Sequence, residues 1–567
     1  MTKLVFICGR DRHGVTEKQL QALTGIMVPD NILPNRSHDY MSERVCYSLA
    51  NPSQDCLASE KGVGLGLLFS DQKNWDDVGQ RTPDGNFLLA RWDRNKLEIL
   101  SDAAASRTGW YAITDDHVFL SSSMRAIVAL LGNFELNEEA VSWSLGTGCL
   151  GPDQAWDRRI RMIPPQTTLH VDFKEWTVQT DTKPIIFSAL PSADAAKLRQ
   201  AITGTLSNIP PAPHRELSLS GGVDSRGLLM MMPHALRPST FSIRAKSEPP
   251  RPQDDASIAA RVAAASDVTH SIVEFDDQNT PLSVAMDRFC SLSEGRVDHF
   301  SAAAGGWTQW KAMHERGTST ILRGDEGFGW SHALSEEQVQ IEIGVAGLHR
   351  HFTPAQIEEF GLQLYSLPDT LVRKENETLE NWRDRLYHQH RLPVILSALT
   401  EAKAGYIDVI NPFLSRHILE TVRSMLSAER TEKSAFRKMV AALLPSVPYA
   451  SKAAHRSLTT ITNSEEFKMI AGDILGSPTA QEIFTAPLLS YAVQRLKRDS
   501  KTKSKPWMGR IARHLFPARF VTKLRAVKHS GHRPLNAGVL IFRMAMITKV
   551  VATLKKDMQL LNSSSMS

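Results

Sequence analysis

The sequence predicts an α/β fold in which a layered, β-rich N-terminal region precedes a parallel α/β sheet and a largely helical C-terminal part. Up to about residue 190, short apolar runs alternate with turn signals. From about 195 to 330, helical and strand-like segments alternate, and from 331 to about 480 nearly every segment is helical in pattern. We therefore expect three regions, namely 1–190, 191–480 and a basic, helical extension at 481–567.

Turn residues mark the strands of the N-terminal region. The turn DGN precedes the apolar run FLLARWD at 87–93, DD precedes HVFLSSS at 117–123, and PP precedes QTTLHVDF at 166–173. Short apolar runs after such turns are typical of strands in a layered β structure.

In the next two regions the spacing of the apolar residues changes. Residues 189–208 are helical in pattern, 216–220 form a short buried strand, 226–232 are helical and 239–245 are strand-like. This alternation predicts a parallel sheet with helices on both faces. Beyond 331, the runs at 384–409 and 414–426 are predicted to be helical.

Composition excludes several protein classes. The chain has 567 residues, of which 42% are hydrophobic and 22% charged, so disorder, collagen and coiled-coil arrays are excluded. Lys and Arg total 66 against 61 Asp and Glu, and the net charge of +5 is too small to predict specific nucleic-acid binding. The five cysteines form no CxxC pair, which favours a reducing cytoplasm over a disulfide framework.

Neither end of the chain predicts a membrane segment. The first apolar run is too short for a signal peptide. The most apolar stretch, 537–554, is interrupted by Arg543 and Lys549, so we expect an amphipathic helix and no transmembrane span.

A strongly basic segment lies near the C-terminal end. Residues 495–533 contain thirteen Lys or Arg and one acid, Asp499, together with Trp507 and two phenylalanines. Such a run is usually a solvated surface, and an acidic peptide partner or a membrane surface is the alternative.

The segment ELSLSGGVDSRGLLM, residues 216–230, has the residue types that bind an anion and a metal ion. A buried strand, a Ser-Gly-Gly turn and a helix N-terminus together present unpaired backbone N–H groups to an anion. We call residues 220–225 the glycine loop. Its two glycines allow close approach of an oxyanion, and the hydroxyls of Ser220 and Ser225 add donors. Asp224 repels a phosphate, so its natural role is to hold Mg²⁺ beside phosphate oxygens.

The glycine loop resembles the pyrophosphate-binding loop of the asparagine synthetase family, which includes the β-lactam synthetases and lasso-peptide cyclases. Four further segments resemble that family in order and spacing, so the resemblance runs from about residue 80 to 460. These segments are QDDA at 253–256 with the helix and strand that follow it, LRGDEGFGW at 322–330, DVINPFLS at 408–415, and the helix, proline and lysine of 433–452.

The resemblance implies site residues, cofactors and domain types. The ATP and pyrophosphate site comprises Leu219, Ser220, Gly221, Gly222, Asp224 and Ser225. Asp224 and Asp325 share Mg²⁺, and Lys452 is catalytic. The N-terminal region is expected to be Ntn-hydrolase-like, as a degenerate glutamine amidotransferase domain, and region 191–480 an ATP-pyrophosphatase domain.

Three departures from the family pattern concern activity. Where glutamine-hydrolysing relatives have a nucleophilic cysteine after the initiator methionine, this chain has Thr2, and Cys8 lies inside a predicted strand. No Asn-Gly-Glu glutamine pocket is found between 40 and 80, so glutaminase activity is expected to be lost. The family's acid or tyrosine three residues before the metal aspartate is replaced by Leu322, and Glu326 and Tyr406 are the available substitutes.

The sequence thus predicts an ATP-dependent, AMP-forming ligase that activates a small-molecule or peptide carboxylate for attack by ammonia or an amine, as in asparagine biosynthesis. An intramolecular cyclase of the β-lactam synthetase or lasso-peptide cyclase type is one alternative, and a non-catalytic scaffold on a synthetase fold is another. The paired histidines His388 and His390 are not expected to bind a metal, because residues i and i+2 face apart on a helix.

Overall fold

The structure, a computed structural model, describes residues 2–32, 36–69, 73–188, 190–276, 279–451, 458–498 and 534–561. Within these residues the chain forms two antiparallel sheets, one parallel sheet and twenty α-helices. The predicted α/β fold with a helical C-terminal part is confirmed.

The two antiparallel sheets lie in the N-terminal part and are packed face to face. Their strands are β1 (Lys3–Gly9), β2 (Ser37–Met41), β3 (Val45–Ala50), β4 (Leu57–Ser59), β5 (Gly62–Leu68), β6 (Gly85–Trp92), β7 (Lys96–Ser101), β8 (Trp110–Ile113), β9 (His117–Ser121), β10 (Arg161–Met162), β11 (Thr167–Asp172) and β12 (Thr177–Thr182). The orders are β10-β8-β9-β1-β3-β2 and β12-β11-β7-β6-β5-β4. Alternate residues of β1 serve two cores: Leu4 and Phe6 pack toward the second sheet, whereas Val5 and Ile7 pack toward helices.

The third sheet is parallel and positions the candidate site. Its strands are β13 (Arg215–Ser218), β14 (Thr240–Ala245), β15 (His270–Phe275), β16 (Thr320–Leu322) and β17 (Asp408–Ile410), in the order β15-β14-β13-β16-β17. Both faces are buried against helices, since Leu217 and Leu322 belong to one core and Phe241 and Val409 to the other. Parallel sheets bind ligands outside the carboxyl ends of their strands, so that edge is where a site is expected.

The helices cover the sheets and build the C-terminal part. They are α1 (Glu17–Gly25), α2 (Met124–Leu131), α3 (Glu138–Thr147), α4 (Ala195–Ser207), α5 (Val223–Met231), α6 (Asp255–Ala265), α7 (Leu282–Ser293), α8 (Thr308–Glu315), α9 (Glu336–Ile343), α10 (Pro354–Glu359), α11 (Leu379–Leu386), α12 (Ser397–Ala404), α13 (Arg416–Arg423), α14 (Ser427–Arg430), α15 (Ser434–Leu443), α16 (Leu458–Thr462), α17 (Glu465–Leu475), α18 (Pro478–Ile483), α19 (Ala486–Arg498) and α20 (Ala537–Asp557).

The helical prediction for 384–409 is wrong at its end. A π-helical segment, Tyr387–Leu396, joins α11 to α12, and it contains Pro393, which has no backbone N–H for the α-helical ladder. Helix α12 ends before Gly405, and 408–410 form β17 instead of a last helical turn. The run Ile407 to Ile410 is rich in β-branched residues, which fit the buried sheet.

Helix α20 is not amphipathic, contrary to the sequence prediction. Every residue from Leu540 to Thr548 is buried, because α20 packs against α2 and α3 on one side and α7 and α16–α19 on others. Arg543, one of the interrupting charges, donates to Asp298 at 2.8 Å and to the carbonyl of Leu145 at 2.8 Å. By length and composition α20 is the one helix among the described residues that could cross a membrane, yet 72% of its apolar window is buried inside the protein.

Candidate functional site

The glycine loop joins the end of β13 to the start of α5. Helix α5 begins after Gly222 without a side-chain cap, so no side chain at the cap position accepts the first backbone N–H groups of this helix. The hydroxyls of Ser220 and Ser225 lie 2.8 Å apart, and the backbone N–H of Ser220 donates to the Ser225 hydroxyl at 2.9 Å. The loop is thus held in shape by its own serines while its helix end stays available to an anion.

Asp255 supports the loop from the next helix, a role that sequence reasoning missed. Its carboxylate accepts the backbone N–H of Gly221 at 3.0 Å. The available signal was the Asp254–Asp255 pair, in which Asp254 caps α6 by accepting the N–H of Ser257 at 2.7 Å. Leu219, the last residue before the loop, is buried in the core beneath it.

Asp325 is carried to the loop by a glycine that permits close approach. A Cβ on Gly324 would lie 2.8 Å from the backbone carbon of Asp224 and 2.9 Å from the nitrogen of Ser225. Only a residue without a side chain can pack there. Asp224 and Asp325, about a hundred residues apart in sequence, therefore lie on adjoining backbone at one edge of the parallel sheet, and their side chains are 35% and 24% exposed.

Lys433 links the carboxylates and was not assigned from sequence. Its ammonium lies 2.9 Å from both oxygens of Asp224 and 2.6 Å from Oε1 of Glu326. We call Asp224, Asp325, Glu326 and Lys433 the carboxylate cluster. Burial alone would lower the pKa of Lys433, but the Glu326 and Asp224 carboxylates raise it above its ordinary value, so the ammonium stays charged.

An unusual backbone conformation directs Lys433 into the cluster. Glu432 and Lys433 both have φ of +57°, the left-handed region that residues with a Cβ rarely adopt. The N–H of Glu432 donates to the carbonyl of Trp330 at 2.8 Å, which ties this strained turn to the segment that carries Asp325. Strain of this kind is commonly held at functional sites. No sequence signal marks it, because neither residue is glycine or asparagine.

Glu326 is buried, whereas the neighbouring Asp325 is partly exposed. Burial raises the pKa of Glu326 to about 7, against the opposing charge of Lys433. Its second oxygen accepts the backbone N–H of Phe328. Nε2 of His388 lies 2.8 Å from the carbonyl of Gly327, and Arg423 donates to Nδ1 of that ring at 3.2 Å, so the ring donates through Nε2. His388 therefore holds the segment around Gly327 in place. Both of its ring nitrogens are used in these hydrogen bonds, so they do not support the metal role that the sequence analysis discounted.

Tyr406 does not reach the cluster. Its hydroxyl donates to Oδ1 of Asn31 at 3.0 Å, and its ring packs near Trp307 on the side that faces the N-terminal sheets. Of the two substitutes that the sequence offered, only Glu326 is at the site. The tyrosine near the cluster is Tyr387, in the π-helical segment, whose pKa is raised well above its ordinary value by burial and by the charge of Glu326.

Lys452 lies outside the described residues, but the segment leading to it is anchored on the glycine loop. Arg226 donates to the carbonyls of Val447 at 2.7 Å and Pro448 at 2.8 Å, and stacks over the Tyr449 ring at 4.2 Å. The N–H of Ala450, two residues before Lys452, then donates to the carbonyl of Gly221 at 3.1 Å.

A second polar group of residues lies where β1 meets the parallel sheet. The Thr2 hydroxyl donates to Asp408 at 2.8 Å and accepts the N–H of Ser53 at 2.9 Å. Glu401 accepts from Lys3 at 2.9 Å and Arg107 at 2.7 Å. We call Thr2, Lys3, Arg107, Glu401 and Asp408 the interface network. All five are buried, which leaves the Thr2 hydroxyl no access to a substrate.

The thiol of Cys8 is equally inaccessible. It is buried in β1, and burial raises its pKa to about 12. It cannot act as a thiolate nucleophile at neutral pH.

Comparison with known proteins finds one family model that matches this site. Residues 217–325, which run from β13 through the glycine loop to Asp325, match the family model for asparagine synthase. This stretch of the chain is therefore similar to asparagine synthase. The match supports an ATP-dependent amide ligase of the asparagine synthetase family. No curated protein sequence matches the chain at a significant level.

Among solved structures, the chain is similar to glutamine phosphoribosylpyrophosphate amidotransferase from B. subtilis, in a complex with ADP and GMP. The identity is 8%, the alignment covers 48% of this chain and 65% of that one, and the TM-score is 0.22. A similarity this low carries no argument about the fold. The fold of the N-terminal part is defined by the two antiparallel sheets described above.

The donor set of the synthase domain fits Mg²⁺ bound together with phosphate. Mg²⁺ in nucleotide sites takes one or two carboxylates and completes its shell with phosphate oxygens and water. Asp224 and Asp325 are hard oxygen donors, partly exposed and on adjoining backbone. Among the described residues, no group of three or more His, Cys, Asp or Glu could hold a metal ion by itself.

Proposed function

We propose that the chain is an ATP-dependent, AMP-forming amide ligase that activates a substrate carboxylate as an acyl-adenylate and passes the acyl group to ammonia or an amine. The single observation that carries the proposal is the meeting of two carboxylates with an uncapped helix end. Gly324 packs against the backbone of Asp224 and Ser225, so Asp325 lies beside the N-terminus of α5.

Different residues of the site bind phosphate, hold the metal ion and supply positive charge. The backbone N–H groups at the start of α5 and the hydroxyls of Ser220 and Ser225 bind phosphate oxygens. Asp224 and Asp325 would hold Mg²⁺, which neutralises phosphate charge when bound. Lys433 must release Asp224 to the metal, and its ammonium can then turn to phosphate oxygens while it remains paired with Glu326.

The chemistry proceeds in two displacements. A carboxylate oxygen forms a bond to the α-phosphorus, and the bond from that phosphorus to the bridging oxygen breaks, so pyrophosphate leaves with the electron pair. The amine nitrogen then attacks the acyl carbon, and AMP leaves. The amine must lose a proton in this step, and Glu326 is the candidate acceptor because Tyr406 lies elsewhere. Preorganised charges at Lys433 and Lys452 would stabilise the developing negative charge.

The source of the nitrogen is free ammonia or an amine of the substrate. The Thr2 hydroxyl is buried and bonded on both sides, and the Cys8 thiol is buried, so neither supports glutamine hydrolysis. This observation favours a second candidate, an intramolecular cyclase whose amine and carboxylate belong to one molecule. The scaffold alternative has less support, because the Lys433 ammonium contacts both Asp224 and Glu326, and Asp325 lies on adjoining backbone.

Two further proposals concern the cellular location of the protein and a partner for its basic segment. The five cysteines are free thiols, which supports a cytoplasmic location. The basic segment at 495–533 lies outside the described residues from 499 on, and an acidic partner for it is proposed from charge alone.

The test is exchange of labelled pyrophosphate into ATP, run with the full chain, Mg²⁺ and a panel of amino acids, dicarboxylates and short peptides. We expect exchange that depends on one class of carboxylate, with AMP as the nucleotide product once an amine is added. Release of ADP and phosphate would contradict the AMP-forming proposal. Binding of neither ATP nor its analogues would favour the scaffold.

A further inference from the structure

A buried group of three charged side chains joins the two segments that carry Asp325 and Lys433, and it has no role in the proposed function. Asp384, on α11, lies between the guanidinium groups of Arg383 and Arg430, and each of these three residues is 1% exposed. Arg383 donates through Nε to Oδ1 of Asp384 at 2.8 Å, and Arg430 donates through Nη1 to Oδ2. We call Arg383, Asp384 and Arg430 the buried triad.

The triad contacts the segment that follows Asp325. Arg383 donates through its Nη1 group to the carbonyl of Ser331. Gly329 packs directly on the backbone of Arg430, because a Cβ at Gly329 would overlap the carbonyl oxygen of that arginine. Gly329 also has φ of +122°, which residues with a side chain rarely adopt. The chain beyond Asp325 is thus held against the triad.

The triad also contacts the turn that leads to Lys433. Arg430 ends α14, three residues before Lys433, and Nη2 of Arg383 donates to the Thr431 hydroxyl at 3.4 Å. Nη2 of Arg430 donates to Oδ1 of Asn381 at 2.5 Å, so both Nη groups of this guanidinium have acceptors. The backbone that enters the left-handed turn at 432–433 therefore starts from a residue that is fixed on both sides.

A triad of buried ions is a poor way to stabilise a fold. Each ion loses its hydration, and apolar side chains of similar volume are often as stable or more stable in such a place. This triad sets two positive charges against one negative charge. Its ions do supply direction, because each guanidinium has a rigid fork of donors. Direction is what a strained turn needs, since left-handed residues persist only where surrounding contacts hold them.

We propose that Asp384 is a positioning residue for the ligase reaction and that it acts through Lys433. By fixing the two arginines of the triad, its carboxylate holds the left-handed turn in the conformation that places the Lys433 ammonium between Asp224 and Glu326. The inference rests on the proposed function and deepens it, because it assigns the direction of Lys433 to a residue that is too deeply buried to touch ATP or substrate.

The test is a double-mutant cycle on pyrophosphate exchange, run with the full chain, Mg²⁺ and saturating ATP and carboxylate. One arm combines Asp384→Asn with Lys433→Met, and the other combines Glu401→Gln with Lys433→Met. Glu401 is the matched control, because it is also a buried carboxylate held by two cations but belongs to the interface network. Deuterium uptake of residues 427–440 is measured as well. Every variant is assayed at a temperature at which tryptophan fluorescence shows it to be folded.

We expect Asp384→Asn to slow exchange on the order of 10²-fold with little change in the KM for ATP, the scale for losing one preorganised electrostatic contact. In the Lys433→Met background the same substitution should slow exchange less than about threefold, because residues that act through one contact are not additive. Glu401→Gln should have the same small effect in both backgrounds. Deuterium uptake of 427–440 should rise in Asp384→Asn and stay at the wild-type level in Glu401→Gln.

Three results would overturn the inference. They are near-normal exchange in Asp384→Asn, a loss of equal size with and without Lys433, and unchanged deuterium uptake of 427–440. If Asp384→Asn does not fold, Arg430→Lys takes its place in the cycle with the same expected pattern, since it keeps the charge and loses the fork. If the wild-type chain shows no exchange with any carboxylate, the proposed function is wrong, and the uptake alone then decides whether Asp384 fixes the turn.

Discussion

The carboxylate cluster and the interface network are both built from acids and bases brought together from distant parts of the chain, yet they differ in one respect. In the interface network every charged side chain is buried, and Glu401 is shared by Lys3 and Arg107. In the carboxylate cluster Asp224 and Asp325 keep a quarter to a third of their surface open. A charged group that is fully paired and buried stabilises the contact it spans, whereas one that stays partly open can bind a ligand.

The largest effect should come from the open cluster. We expect Asp224→Asn and Asp325→Asn each to reduce pyrophosphate exchange on the order of 10³-fold or more, because each removes a negative ligand that Mg²⁺ needs beside phosphate oxygens. Melting temperatures should stay close to wild type, since both side chains are partly exposed. Asp473→Asn, an exposed position on α17, is the control. Near-normal exchange in either variant would remove that residue from the metal site.

Lys452 tests whether the cluster extends beyond the described residues. We expect Lys452→Ala to slow turnover on the order of 10²-fold or more, the scale for losing one preorganised electrostatic contact. ATP binding should change little, and Lys452→Arg should rescue poorly because a planar guanidinium does not replace a point charge. Lys438→Ala, on the exposed face of α15, is the control. Turnover within a few-fold of wild type would make Lys452 a surface residue.

Substitutions in the interface network should change the stability of the fold rather than the activity. Removing one partner of a buried ion pair costs about 3–5 kcal/mol, so Glu401→Gln should lower the urea midpoint of unfolding markedly. Burial would raise the pKa of Glu401, but Arg107 and Lys3 hold it at about 2 against an ordinary value of 4.5. A carboxyl with a depressed pKa stabilises the fold above its unfolded pKa and loses that contribution as pH falls.

The difference in unfolding free energy between wild type and Glu401→Gln should therefore shrink as pH falls from about 4.5 toward 2. Urea titrations at pH 7, 4 and 3, followed by tryptophan fluorescence, measure it. Glu358→Gln, exposed on α10, is the control and should show no such trend. A constant difference across this range would show that Glu401 is not held ionised by Lys3 and Arg107.

The smallest effect concerns Thr2. We expect the wild-type chain to release no glutamate from glutamine, and thiol alkylation to leave pyrophosphate exchange unchanged. Thr2→Val should leave exchange nearly unchanged as well and lower stability only by about 1 kcal/mol for the lost hydrogen bond. If the wild-type chain released glutamate and Thr2→Val did not, the Thr2 hydroxyl would have to reach a substrate. The interface network would then open, and it would no longer differ from the carboxylate cluster in access to ligands.

The sequence predicted best what depends on neighbouring residues. The strand, glycine turn and helix of residues 216–232 are contiguous, so their joint geometry follows from local pattern. Lys433 could not be found in this way, because its direction depends on two successive left-handed residues that sequence does not mark. Tyr406 was misplaced because it is close in sequence to the β17 segment but lies on the face toward the N-terminal sheets.

Long-range packing explains the other errors. The helical pattern of 384–409 gave no sign that its last residues complete the parallel sheet beside β16. The pattern of 537–554 suggested an exposed face, since Arg543 and Lys549 interrupt it. In the structure Arg543 is buried and paired with Asp298, while Lys549 pairs with Asp287, so both charges lie within contacts that only the assembled fold provides.

The position of α20 also bears on the order in which the molecule is made. Its apolar residues fill a core shared with α2 and α3, from the first third of the chain, and with α7, from the middle. A ribosome releases those partners long before residues 537–557 emerge. The apolar surfaces of α2, α3 and α7 that α20 covers must therefore remain uncovered in the nascent polypeptide until residues 537–557 have been translated.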